Sequence, residues 1–78
     1  MKPTRITNTI RELRLAADGM TQAELARRLG MTRQTVIAIE QGRYSPSLEV
    51  AFQIARIFRL PLDAVFQYPA SVDEGEDQ

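Results

Sequence analysis

Arg33, Gln34, Thr35, Ile37 and Ala38 are the side chains whose types and spacing could do specific chemistry: together they could read the edges of base pairs. Arginine can present two donors to guanine, and glutamine a donor and an acceptor to adenine. Isoleucine and alanine can lie against a thymine methyl. At about 100° per residue, Gln34, Ile37, Ala38 and Gln41 share the face opposite Val36 and Ile39, with Arg33 and Thr35 flanking it in the first turn. None of these residues is a carboxylate, so nothing on the face repels phosphate. An ordinary solvated face on a small helical bundle has the same pattern, and geometry alone does not separate the two readings.

Other chemistries find little to work with. The chain has no His and no Cys, so general-base and nucleophile roles would fall to scattered carboxylates, Ser or Thr, and none of these is arranged with a partner. No Gly-rich phosphate loop and no metal-ligand cluster is visible. No enzyme activity, metal or cofactor is expected.

The elements that must position the face lie between Thr21 and Gly42. Thr21 is an N-cap candidate, with Glu24 three residues later to complete a capping box. Leu25, Ala26 and Leu29 recur at helical spacing, and Gly30 can stop the helix in a left-handed conformation. Thr32 is a second N-cap candidate, opening a helix in which Val36, Ile39 and Glu40 share one side. Two helices joined by a short turn containing glycine make a helix-turn-helix outline.

From about Ile10 to Phe66 the chain resembles the lambda-repressor-like family, the helix-turn-helix shared by Cro, phage repressors and many small bacterial regulators. The matching words are TQAELARRLG, the RQTV of the next helix, IEQGRYSPSLE, and the IARIF and LDAVF of the tail. The resemblance implies an all-α, five-helix DNA-binding domain whose third helix enters the major groove of double-stranded DNA. It implies phosphate contacts from Thr21, Gln22, Thr32, Gln41, Arg43, Tyr44 and Ser45, with Tyr44 alternatively a packed loop aromatic. It also pairs Arg14 with Glu40. As chemistry the two might be a catalytic couple, but with no nucleophile or metal ligand nearby they read as an ion pair locking the first helix to the third. The sequence departs from the family pattern at Asp18-Gly19, a one-residue extension of a loop, at Arg59, where glycine is common, and at Pro61, where a polar cap is common.

Length and charge fit one small domain. Seventy-eight residues allow a single core, and no apolar run approaches the ~20 residues that span a bilayer. The N-terminus lacks an apolar signal-peptide region, and a cytoplasmic protein is expected. Net charge is zero, yet residues 1–70 hold ten cations and six carboxylates, a net +4, while Asp73, Glu74, Glu76 and Asp77 put −4 on the tail. A basic globular part suits a phosphate partner, and residues 69–78 read as an acidic, disordered end.

In chain order, residues 1–9 are either an arm or the start of the first helix. The pattern of Ile6, Ile10, Leu13 and Ala17 allows a start as early as Thr4. The favoured reading is a later start capped by Asn8 or by Thr9 boxed with Glu12, leaving an extended arm that pairs with FQYPA or reaches DNA through Lys2 and Arg5. The domain proper covers residues 10–68. A fourth helix from about Leu48 to Phe58 buries Leu48, Ala51, Ile54, Ala55 and Phe58. Leu60, Leu62, Val65, Phe66 and Tyr68 then exceed what so small a core needs. Leu62 and Phe66 chiefly cap the core, and Leu60, Val65, Phe66 and Tyr68 form the expected homodimer interface, with Val65 and Tyr68 its main elements.

The function expected is a sequence-specific transcriptional regulator, a repressor, acting as a homodimer on a palindromic operator. The alternative is an antitoxin or adaptor in which the same fold chiefly holds a protein partner.

Overall fold

The computed structural model describes residues 4–69; the acidic tail and Lys2 lie outside them. Five helices follow one another: α1 (Ile10–Ala16), α2 (Gln22–Leu29), α3 (Arg33–Glu40), α4 (Leu48–Phe58) and α5 (Leu62–Val65). Two short strands, β1 (Thr7–Asn8) and β2 (Phe66–Gln67), pair antiparallel with Thr7 opposite Gln67 and Asn8 opposite Phe66. The fold is the expected five-helix one, with this small ladder tying its two ends together. Of the arm expected over residues 3–7, Thr7 pairs with FQ together with Asn8, and α1 starts late, at Ile10.

Local chemistry sets most helix ends. Thr21, Thr32 and Ser47 each accept a hydrogen bond from the backbone N–H three residues on, at 3.0, 3.2 and 3.2 Å, satisfying one of the orphan donors of a first turn. The expected box at α2 is only half made. Thr21 caps, but the Glu24 carboxylate turns outward to Arg27 and Arg28 instead of reaching back to the Thr21 N–H. Two guanidiniums outbid one neutral amide.

At α1 the cap comes from Asn8, whose Oδ1 accepts from the Ile10 N–H at 3.1 Å. Thr9 makes no cap bond; its hydroxyl donates to the Ala64 carbonyl at 2.9 Å.

Helices α2 and α4 end alike. Gly30 (φ 70°) and Arg59 (φ 58°) are both left-handed, and the next N–H, of Met31 or Leu60, closes on the carbonyl five residues back at 3.0 Å. Arginine in this conformation costs roughly 1–2 kcal/mol, so the turn is kept where the family more often uses glycine. Pro61 stands at the N-cap of α5, where its missing N–H costs nothing.

Ile10, Leu25, Val36, Ile54 and Val65 are the largest fully buried side chains, one from each helix, with Ala26, Ile39, Ala51 and Ala55 completing the core. Two expectations are corrected here. Leu48 is 66% exposed: as the first residue of α4, it projects back beyond the end of the packed bundle. Val65 is 0% exposed, because α5 turns it inward; it belongs to the core and presents nothing to a second chain.

Candidate nucleic-acid interface

Two capped helices and a tight turn hold the outer face of α3. Arg33 and Gln34 are exposed at its start and Gln41 at its end, with Ile37 and Ala38 half-buried between them. Arg33, Gln34 and Gln41 make no side-chain hydrogen bond to any described residue, so their donors and acceptors are free for a ligand. Thr35 is more committed. Its hydroxyl lies 3.0 Å from that of Thr32, and its N–H donates to the same oxygen. That pairing stiffens the first turn beneath Arg33 and Gln34.

The other end of α3 is anchored by a buried polar knot. Arg14 Nε donates to Glu40 at 2.6 Å and Nη2 to its other carboxylate oxygen at 3.1 Å, a two-point pairing. Arg14 Nη1 donates to the Met20 carbonyl at 2.7 Å, and Gln22 Nε2 donates to Glu40 at 3.3 Å. The two charged side chains are only 9% and 7% exposed. A pair this buried is stable only if its remaining hydrogen-bonding positions are filled, and no described buried side-chain N or O lacks a partner. The knot therefore fixes α1, the α1–α2 loop and the start of α2 against the last residue of α3. The Arg14–Glu40 pairing follows from the resemblance; the additional bonds to Met20 and Gln22 have no sequence signal. Gln22 thus carries a structural bond beside the phosphate contact expected of it.

Beyond α3, Gly42 (φ 70°) turns the chain, and the Arg43 N–H closes on the Ala38 carbonyl at 3.0 Å. Arg43 and Ser45 are exposed, whereas Tyr44 is half-buried against the core. Tyr44 is thus a packed loop aromatic. Thr21 and Thr32, at the starts of α2 and α3, are exposed on their caps.

Arg5 stands over the Tyr68 ring, 5.8 Å from its centroid. On α2, hydrogen bonds from Arg27 and then Arg28 pull the Glu24 carboxyl down from 4.5 to about 2.

A second surface, adjoining the loop that carries Ser45, is apolar. Ile6, Leu62 and Phe66 line two adjoining shallow grooves, one bounded by Asp63, Gln67 and Tyr68, the other by Pro46, Leu48 and Ala51. Leu48 and Tyr68, 66% and 60% exposed, stand beside these grooves. Of the residues expected at an interface, Leu60, Phe66 and Tyr68 keep some surface and Val65 none. Among the described residues no group of acidic, His or Cys side chains could hold a metal, and no helix is long and apolar enough to cross a membrane.

A family model described as helix-turn-helix matches residues 10–65. An uncharacterized HTH-type transcriptional regulator of Methanocaldococcus jannaschii is 49% identical over 53 residues, covering 68% of this chain and 80% of the relative. A transcriptional repressor of the cryptic phage CTXphi from Vibrio cholerae, RstR, is 32% identical over 69 residues, covering 87% and 61%. The crystal structure of a candidate DNA-binding protein from Bacteroides fragilis superposes with a TM-score of 0.68 at 21% identity, covering 80% of this chain and 98% of that one. That likeness shows a shared fold.

Proposed function

The chain belongs to the lambda-repressor-like helix-turn-helix family of transcriptional regulators, and from this premise we propose that it is a cytoplasmic repressor. In this reading it binds a palindromic operator as a homodimer and reads the major groove with α3. The observation that carries the reading is the outer face of α3, where Arg33 and Gln34 are exposed and uncommitted and no carboxylate intervenes. The base of that helix is held by the Arg14–Glu40 knot, so the face is rigid before any ligand arrives. Arg33, Gln34, Ile37 and Ala38 then face bases, and Thr35 holds the first turn under them. Thr21, Gln22, Thr32, Gln41, Arg43 and Ser45 border the face and meet phosphates. Repression, as opposed to activation, is supported by the name of the Vibrio cholerae relative alone.

Selection from a random duplex library, followed by binding at several salt concentrations, tests this. Gln34→Ala and Arg33→Ala each cost ~1–3 kcal/mol on the selected sequence and leave mixed DNA nearly unaffected. Arg43→Ala weakens all sequences alike and lowers the salt slope by about one phosphate. The opposite partition would put the wrong element in the groove.

Two-fold assembly is part of the reading because one domain contacts few bases, while non-specific DNA is in great excess. The half-sites then lie one helical turn apart, about 34–36 Å. With Val65 buried, the surface suited to a second copy is the apolar side around Ile6, Leu48, Phe66 and Tyr68. Projecting side chains beside shallow grooves on one patch are what a self-complementary contact requires. Sedimentation of the native chain and of Tyr68→Asp and Leu48→Asp at micromolar concentration checks it: a native monomer that binds a single half-site at full affinity ends the dimer reading. The same apolar side is what an antitoxin or adaptor would use, and tight co-purification with another protein, without DNA affinity, would favour that reading instead.

A further inference from the structure

Helix α3 is held at its C-terminal end by a second contact, separate from the Arg14–Glu40 bonds. The Ile39 carbonyl accepts from the Gly42 N–H at 3.1 Å and also from Asn8 Nδ2 at 3.0 Å. The other end of the same carboxamide, Oδ1, accepts from the Ile10 N–H at 3.1 Å. One side chain therefore caps α1 and grips the last turn of α3, across 31 positions of sequence. The segment leading into it runs along the same turn, where the Thr4 N–H donates to the Gly42 carbonyl at 3.1 Å. Its far side is fixed as well: β1 pairs with β2, and the Thr9 N–H donates to the Val65 carbonyl at 2.9 Å.

We propose that Asn8 is a positioning residue for DNA reading, its carboxamide setting the pose of the last turn of α3 and of the loop beyond it. The inference rests on the DNA reading above. The argument is geometric. Arg33 and Gln34 lie at the start of α3, and Gln41 and Arg43 at or beyond its end. All must meet one duplex together, and a small shift of the last turn and of the loop beyond it moves Gln41 and Arg43 relative to Arg33 and Gln34. The knot grips Glu40 from the α1–α2 side, and Asn8 grips the adjacent carbonyl from the β1 side. Two grips from different directions remove a shift that one leaves free. Asparagine suits the position because it presents a donor and an acceptor on one short stem.

Substitutions can separate the two ends of the carboxamide. Asn8→Asp keeps an oxygen that can cap α1 but has no donor for Ile39, and the single hydroxyl of Asn8→Ser, on a stem one bond shorter, cannot hold Ile10 and reach Ile39 at once. The probes are the duplex selected by the native protein and a mixed-sequence duplex, used well below the melting temperature of each variant. Asn8→Ser should lower the ratio of specific to mixed-sequence affinity roughly three- to tenfold, the scale of one net hydrogen bond. Amide exchange at Gly42 and Arg43 should quicken while that at Leu13, inside α1, stays as in the native chain. An unchanged ratio with unchanged exchange at Gly42 and Arg43 overturns the proposal. So does an equal loss on both duplexes, or collapse of the fold in both variants, since either makes Asn8 a stability residue only. A native protein that selects no sequence overturns the DNA reading and this inference with it, while the exchange rates still report whether Asn8 holds α3.

Discussion

Two clusters of the same chemistry sit on neighbouring helices and have different consequences. Arg14 meets Glu40 at 2.6 Å, and Arg27 meets Glu24 at the same 2.6 Å, with Arg28 at 2.8 Å. The inner pair is 9% and 7% exposed; the outer side chains are 72%, 46% and 32% exposed. Distance alone would rank them equal. In the inner cluster, water has been replaced by the Met20 carbonyl and the Gln22 amide, so removing one partner strands the other in a place where nothing can solvate it. In the outer cluster, water takes over as soon as a partner leaves. Burial decides what an ion pair is worth, and of the two clusters only the inner one holds α3.

The largest expected effect comes from breaking the inner pair. Arg14→Met or Glu40→Leu should each destabilise by roughly 3–5 kcal/mol, a large part of what a chain of this size has to lose. The double substitution should recover some of that, because no lone charge remains buried. Urea melts of the four proteins give the coupling, and two small, additive single effects would erase the distinction between the clusters.

A smaller change sharpens it. Gln22→Ala removes one hydrogen bond to Glu40 and should cost about 0.5–1.5 kcal/mol. In the Glu40→Leu background the cost should nearly vanish, since the acceptor is gone. A loss that persists there would assign Gln22 some other role in the fold.

The smallest effect belongs to the outer cluster. Glu24→Gln should shift the melting temperature little at neutral pH, and less in high salt, where exposed charges are screened. Its signature is in acid. The folded carboxyl is held at about 2 against an ordinary 4.5, so its contribution is present above about 4.5 and is lost as pH falls towards about 2. Melting temperatures of the native chain and of Glu24→Gln should therefore converge across that window. Parallel curves would mean that the ion pairs with Arg27 and Arg28 do not form in solution.

Much of this molecule was legible in its sequence because much of it is local. Thr21, Thr32 and Ser47 cap through oxygens three residues from their donors, and Gly30 ends α2 by a conformation that its lack of a Cβ permits; such signals need no knowledge of the rest of the chain. The start of α4 was readable for that reason, whereas the five-helix plan and the Arg14–Glu40 pair were readable from resemblance. The third dimension decided what depends on neighbours. Periodicity says that Leu48 and Val65 are apolar but not which turn is covered, and packing left Leu48 outside and put Val65 in the centre. Glu24 had a local partner at Thr21 and took two charged ones instead. The Asn8 carboxamide was legible as a cap but not as a grip on Ile39, because a contact across 31 residues exists only once the chain ends have paired and the core has closed.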